Sequence, residues 1–147
     1  MKMKMLLSTL AAVILTGCAT TPNATQANLA VGEVLITSAV STATVGALIY
    51  KPQSRPIIEG IGTGFTLLSQ TNQLSITDIE TQFGQFKLIG GTNNPIVALE
   101  VQNISDLITA FGAQLKNVPT NQTLAILQGL AGANATGIQR GLAAISP

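Results

Sequence analysis

The chain has 147 residues, with seven basic side chains, six acidic ones and no histidine. The missing histidine excludes Ser-His and Cys-His nucleophilic catalysis, imidazole general-base chemistry and most transition-metal sites. The near-neutral balance gives no basic patch for nucleic acid and no polybasic stretch for anionic lipid. Charged residues make up only 9% of the chain, against about 25% in typical soluble domains, so polarity comes from Thr, Ser, Asn and Gln. A surface of that kind suits packing against partners or against copies of itself. Large rings are few (Tyr50, Phe65, Phe83, Phe86 and Phe111), so the core must be built from Leu, Ile, Val and Ala at close helix spacing.

Lys2 and Lys4 precede an uncharged run from Met5 to Thr16. The run is too short to span a bilayer but has the length of the apolar part of a secretory signal. It ends in Leu15-Thr16-Gly17-Cys18, with Ala19 next. In these residues the chain resembles bacterial lipoprotein precursors, whose lipobox Leu15, Thr16, Gly17 and Cys18 match. The resemblance covers only about the first twenty residues. It implies a diacylglycerol thioether on Cys18, cleavage between Gly17 and Cys18, and acylation of the new amino terminus, palmitate being a typical chain. Cys18 is the only cysteine, so it has no intramolecular disulfide partner, and lipidation gives it a use. Two or more acyl chains anchor a protein stably where one does not. Ala19 is not the aspartate that favours inner-membrane retention in Gram-negative relatives, so the resemblance implies the outer membrane, on its periplasmic side or at the cell surface, if the source is Gram-negative.

Removing residues 1–17 as a signal peptide leaves 130 residues, enough for one core. Residues 18–25 read as a lipidated polar tether, and 26–147 as a single domain. From about Gln26 to Tyr50 the only charged residue is Glu33. Val31, Leu35, Thr42, Val45 and Ile49 fall near one helical stripe, and Lys51-Pro52 stops it. Ile58, Ile61, Phe65 and Leu68 then step at helix period. Gly60, Gly62 and Gly64 weaken that helix and point to close packing, with Gly60 and Gly64 as candidate contact positions. The run Gly60–Gly64 lacks the spacing and the following Lys-Ser/Thr pair of a phosphate loop.

Ser75 and Asp78 form a capping-box pattern, with Leu74 and Ile79 as its hydrophobic staple. Ile76, Ile79, Phe83 and Phe86 continue at helix period until Gly90-Gly91. Asn94-Pro95 restarts helix as cap and first residue. Val97, Val101, Ile104, Ile108, Phe111 and Leu115 step four, three, four, three, four, the strongest pattern in the chain. A hairpin across Gly90–Asn94 stands as an alternative for Val97-Leu99-Val101 but does not reach Leu115. Thr120 is expected to cap a last helix, with Val118 stapled to Leu124. Leu124, Leu127, Ala131, Ile138, Leu142 and Ile145 carry it on. Gly137 and Gly141 make a G-x-x-x-G that reads as packing within the bundle, with self-association as the less favoured use. Five such segments joined by short turns predict an all-α fold, a small bundle of about five helices after a cleaved signal peptide.

The six carboxylates, Glu33, Glu59, Asp78, Glu80, Glu100 and Asp106, form no paired arrangement for glycoside hydrolysis. The expectation is a non-enzymatic envelope lipoprotein, without cofactor beyond its covalent lipid and without nucleic acid. It would act by contact with an envelope protein, as an accessory or assembly factor or as a receptor-blocking protein like some small phage or prophage lipoproteins (an analogy of size and anchor). The alternative is a membrane-active lipoprotein that self-assembles as a homo-oligomer, of pore or lysis type, since residues 29–50 are long enough to cross a bilayer.

Overall fold

A computed structural model describes the backbone of residues 22–90 and 94–146, and side chains from residue 28 onward. The expected signal peptide and lipobox, with Cys18, lie outside the described residues. Among the described residues there are five α-helices: α1 Pro22–Tyr50, α2 Arg55–Gln70, α3 Ile76–Gly90, α4 Pro95–Leu115 and α5 Thr120–Ala144. A 3-10 turn, Pro52–Ser54, separates α1 from α2. Among the described residues there is no strand, so the hairpin alternative gives way to helix through α4.

Each boundary has a local cause. Proline suits a first helical position, and α1 starts at Pro22; residues 22–25, expected in the tether, are therefore helical. Lys51 turns out of helical geometry at φ −143°, ψ 73°, directly before Pro52. Ser54 is buried, and its hydroxyl donates to the Lys51 carbonyl at 2.6 Å. At the head of α3 the Asp78 N–H donates to Ser75 Oγ at 3.2 Å, and the Ser75 N–H donates to Asp78 Oδ2 at 2.8 Å. This is the reciprocal capping box, and Leu74 and Ile79 both join the core beside it. Asn94 Oδ1 accepts from the N–H groups of Ile96 and Val97 at 2.9 and 3.1 Å. The start of α5 differs from expectation. Pro119 is the cap residue, at φ −55°, ψ 137° and with no side-chain acceptor, and Thr120 is already inside the helix. The extended ψ of the proline sets the boundary one residue early.

Contacts between helices give their directions. Along the α1–α5 seam, Gly129 meets Glu33, Gly137 meets Thr37 and Val40, and Gly141 meets Ser41 and Thr44. Both series rise together, so α1 and α5 run parallel. Gly62 lies against Ile138, and Gln128 Nε2 donates to the Thr71 carbonyl at 2.8 Å, so α2 runs antiparallel to α5. Gly112 faces Ile76 and Lys87 reaches Ser105, which makes α3 and α4 antiparallel. The neighbour of Gly46 on α4 is Val97, which closes the bundle against α1. The helices thus alternate up and down in chain order.

The core is a single cluster, as one domain of this size requires. Ile58, Ile61 and Phe65 of α2, Ile79, Phe83 and Phe86 of α3, and Val97, Val101, Ile104, Ile108 and Phe111 of α4 are all buried in it. The rings of Phe83 and Phe86 stack at a centroid distance of 5.9 Å. In α5, Leu127, Ala131 and Ile138 are buried, with Leu142 and Ile145 half-buried against them. The stripe expected for α1 is the exception. Val31, Thr42 and Ile49 are exposed, and Leu35 and Val45 are only half-buried. The residues of α1 that enter the core are Leu29, Ile36, Val40, Ala43, Ala47 and Leu48, with Gly32 buried among them. α1 is apolar nearly all round, so period alone does not say which side faces in. The glycines of α5 let that helix approach closely, and the approach fixes the side of α1 that carries Thr37, Val40, Ser41 and Thr44 against it.

Candidate functional site

The densest helix–helix chemistry lies along the α1–α5 seam. On α5, Gly129, Ala133, Gly137 and Gly141 recur every four residues, so they stack on one face. A Cβ on Gly137 would stand 2.7 Å from the Thr37 carbonyl oxygen and 2.8 Å from Val40 Cβ. On Gly141 it would stand 2.5 Å from Thr44 Cβ and 2.8 Å from the Ser41 carbonyl oxygen. Both distances are shorter than real Cβ contacts, and the obstacles are backbone and β-carbons, which have little freedom to move. The Thr37 hydroxyl lies 2.9 Å from the Glu33 carbonyl oxygen of its own helix and 3.2 Å from that of Ala133 on α5. It joins the two helices through a position where neither backbone is shielded by a large side chain.

Of the other glycines singled out from sequence, Gly64 makes room for the Gln82 amide of α3. That amide passes over it to donate to the Ile61 carbonyl at 3.2 Å. Gly60 does not pack. It is exposed, and a Cβ there would meet nothing within 4 Å. Gly60 and Gly64, four residues apart, share a side of α2 that Gly62 does not; Gln82 reaches that side only at Gly64, and one turn earlier Gly60 is left open.

The carboxylates are spread over four helices. Asp78 is held below the ordinary carboxylate range by the Ser75 hydroxyl and then by the Ser75 backbone N–H. Asp106 accepts from Gln102 Nε2 at 2.8 Å, and Glu59 lies 3.7 Å from the Arg55 guanidinium. Glu33 is half-buried with its carboxyl against Gly129, and that burial pushes it above the ordinary range. Among the described residues, no three His, Cys, Asp or Glu side chains come together as a metal site. Chemically this arrangement is a packing seam with polar pins, built for holding helices together.

Comparison with protein-family models, with curated proteins and with solved structures gave no match.

Three features at the seam and along α5 had no signal in the sequence. Arg55 Nη2 donates to the carbonyls of Leu142 and Ile145, the last turn of α5, where orphan carbonyls and the negative helix end favour a cation. Asn134 is wholly buried. Its Nδ2 donates to the Leu130 carbonyl at 2.9 Å, while Oδ1 has no protein partner. Thr44 Oγ1, also buried, has none either among the described residues. Each involves partners far apart in the chain or a surrounding that only packing creates.

Among the described residues, two helices have the length and apolar composition to cross a membrane, Asn28–Tyr50 and Pro95–Leu115. Both contribute one face to the core, and most of each remains unburied by the bundle.

Proposed function

We propose that the protein is a lipid-anchored envelope lipoprotein that acts without catalysis, by contact with an envelope protein partner in an assembly or blocking role. The observation that carries this reading is the ordered N-terminal series: Lys2 and Lys4, the uncharged run Met5–Thr16, and Leu15-Thr16-Gly17-Cys18. The fold is consistent with it, since α1 begins only four residues after Cys18. A covalent lipid there would hold the start of the bundle within about 14 Å of a bilayer, the reach of four extended residues. The helical body beyond the anchor supplies seams and surfaces for contact.

Mass spectrometry of the N-terminal peptide of membrane-extracted protein tests the anchor. A peptide that starts at Cys18 and carries diacylglycerol and acyl mass is the expected result. An unmodified Cys18 in mature protein would sink the reading. Crosslinking in living cells, wild type beside Cys18→Ala, then tests the contact role, with one envelope protein enriched only in the anchored form. A second reading, a membrane-active self-assembling lipoprotein, is favoured by the two helices with membrane-spanning length. Ladders of self-crosslinked chain with no other protein, together with leakage of dye-loaded vesicles, would replace the first reading with this one.

A further inference from the structure

We propose that the outward face of α1 is a lipid-facing surface, and that the bundle lies on its side with this face in the headgroup–acyl boundary of a bilayer.

Val31, Val34, Ser38, Thr42, Val45 and Ile49 recur at three- and four-residue steps along the side of α1 opposite the core. Val34 is 69% exposed and Ile49 60%. The face runs for five turns with no charged side chain. The one charged residue of α1, Glu33, has its carboxyl on the other side, against Gly129 of α5. Val31, Val34 and Ile49 left in water are unfavourable by about 25 cal/mol for each Å² of apolar surface, so they mark a contact the isolated bundle does not make.

Three observations select a bilayer as the occupant. Of the two hydroxyl groups in the middle of the face, that of Thr42 is already satisfied, since it donates to the Ser38 carbonyl at 3.1 Å. That bond removes the cost of placing a free donor in an apolar medium. The apolar stretch Asn28–Tyr50 ends in Tyr50-Lys51, an aromatic and a cation of the kind that settle at the membrane–water interface. Last, Cys18 lies four residues ahead of α1, a tether too short to lift the helix far from the surface. In this one respect the proposal rests on the anchor reading. The helix lies in the plane and does not cross, because its inner face is bound to α5, which carries buried Asn134 and the polar pins of the seam.

The chain contains no tryptophan, so one introduced indole is a unique probe. Val34→Trp and Ile49→Trp place it on the face, and Leu67→Trp places it on α2 at a residue of similar exposure, 64%. Each full-length variant is expressed, extracted from membranes, checked for helix content by circular dichroism and reconstituted into phosphatidylethanolamine/phosphatidylglycerol vesicles that contain brominated acyl chains. The expected result is blue-shifted emission at positions 34 and 49, with quenching several-fold stronger than at position 67. Equal quenching at all three, or none at 34 and 49, overturns the proposal. A blue shift that grows with protein density and is not quenched by bromolipid also overturns it, in favour of a second copy on that face. The mass of the Cys18 peptide in the same samples separates the two readings. Lipidated protein with unquenched probes at 34 and 49 removes the surface and keeps the anchor. Unlipidated protein removes the anchor, and the quenching pattern still judges the surface.

Discussion

A single methyl group separates the glycines of this chain by role. At Gly137 an added Cβ runs into the Thr37 carbonyl and Val40, and overpacking of that kind costs about 1–3 kcal/mol. At Gly60 it enters open space on a helix, where Ala is favoured over Gly by up to about 1 kcal/mol. Gly137→Ala is therefore expected to lower the urea midpoint and Gly60→Ala to raise it, at unchanged m-value. The sequence showed both glycines as equal candidates, since spacing locates a residue on a helix but not the neighbour across from it. Glu33 gives a pH signature. Its folded-state pKa is raised by burial, so the folded chain favours the protonated form. Its contribution to stability is fully present below the unfolded value of about 4.3 and is lost as pH rises through the raised folded value. Glu33→Gln removes that loss. Urea titrations should show the variant gaining on wild type as pH is raised from 4 to 7; a constant difference would argue against desolvation as the cause.

At the scale of the element, start signals were legible where they are made within a few residues. The Ser75–Asp78 box and the Asn94 cap form as their sequences indicate, because both partners lie within three positions. Asn94→Ala leaves the Ile96 and Val97 N–H groups without that acceptor and is expected to cost about 1 kcal/mol, read as a fall in the thermal midpoint. Thr120 misled because a good cap residue stood beside Pro119, whose own backbone geometry set the boundary. The periodic stripes of α2, α3 and α4 named their buried faces correctly, since each of those helices has a polar side. α1 has none, and its most regular apolar row turned out to be the unburied one.

For the whole molecule, the bundle is closed by contacts across long separations in the chain. α5 is clasped between α1 on its glycine face and α2 on the side of Ala131 and Ile138. Arg55, from the start of α2, ties down its last turn. Arg55→Gln shortens the side chain and removes the charge and the fork of donors. The expected outcome is a loss of about 1 kcal/mol in global stability. Faster amide exchange confined to residues 138–145 would accompany it, and uniform exchange along α5 would argue against the end-tie.

The sequence by itself determined the all-α class, the number of helices, most of their ends and the burial of three helices. Those follow from period, proline and local caps, which act over a single turn or two. It also carries the whole argument for the anchor, in the ordered series from Lys2 to Cys18, whose chemistry does not depend on the fold. Only the tertiary structure decided which side of α1 faces in, which glycines are contact points, and that Arg55, Thr37 and Asn134 belong to the seam of α5. Those outcomes depend on which helix lies opposite, and that is settled by packing of the whole core, where small residues permit close approach and bulky ones forbid it.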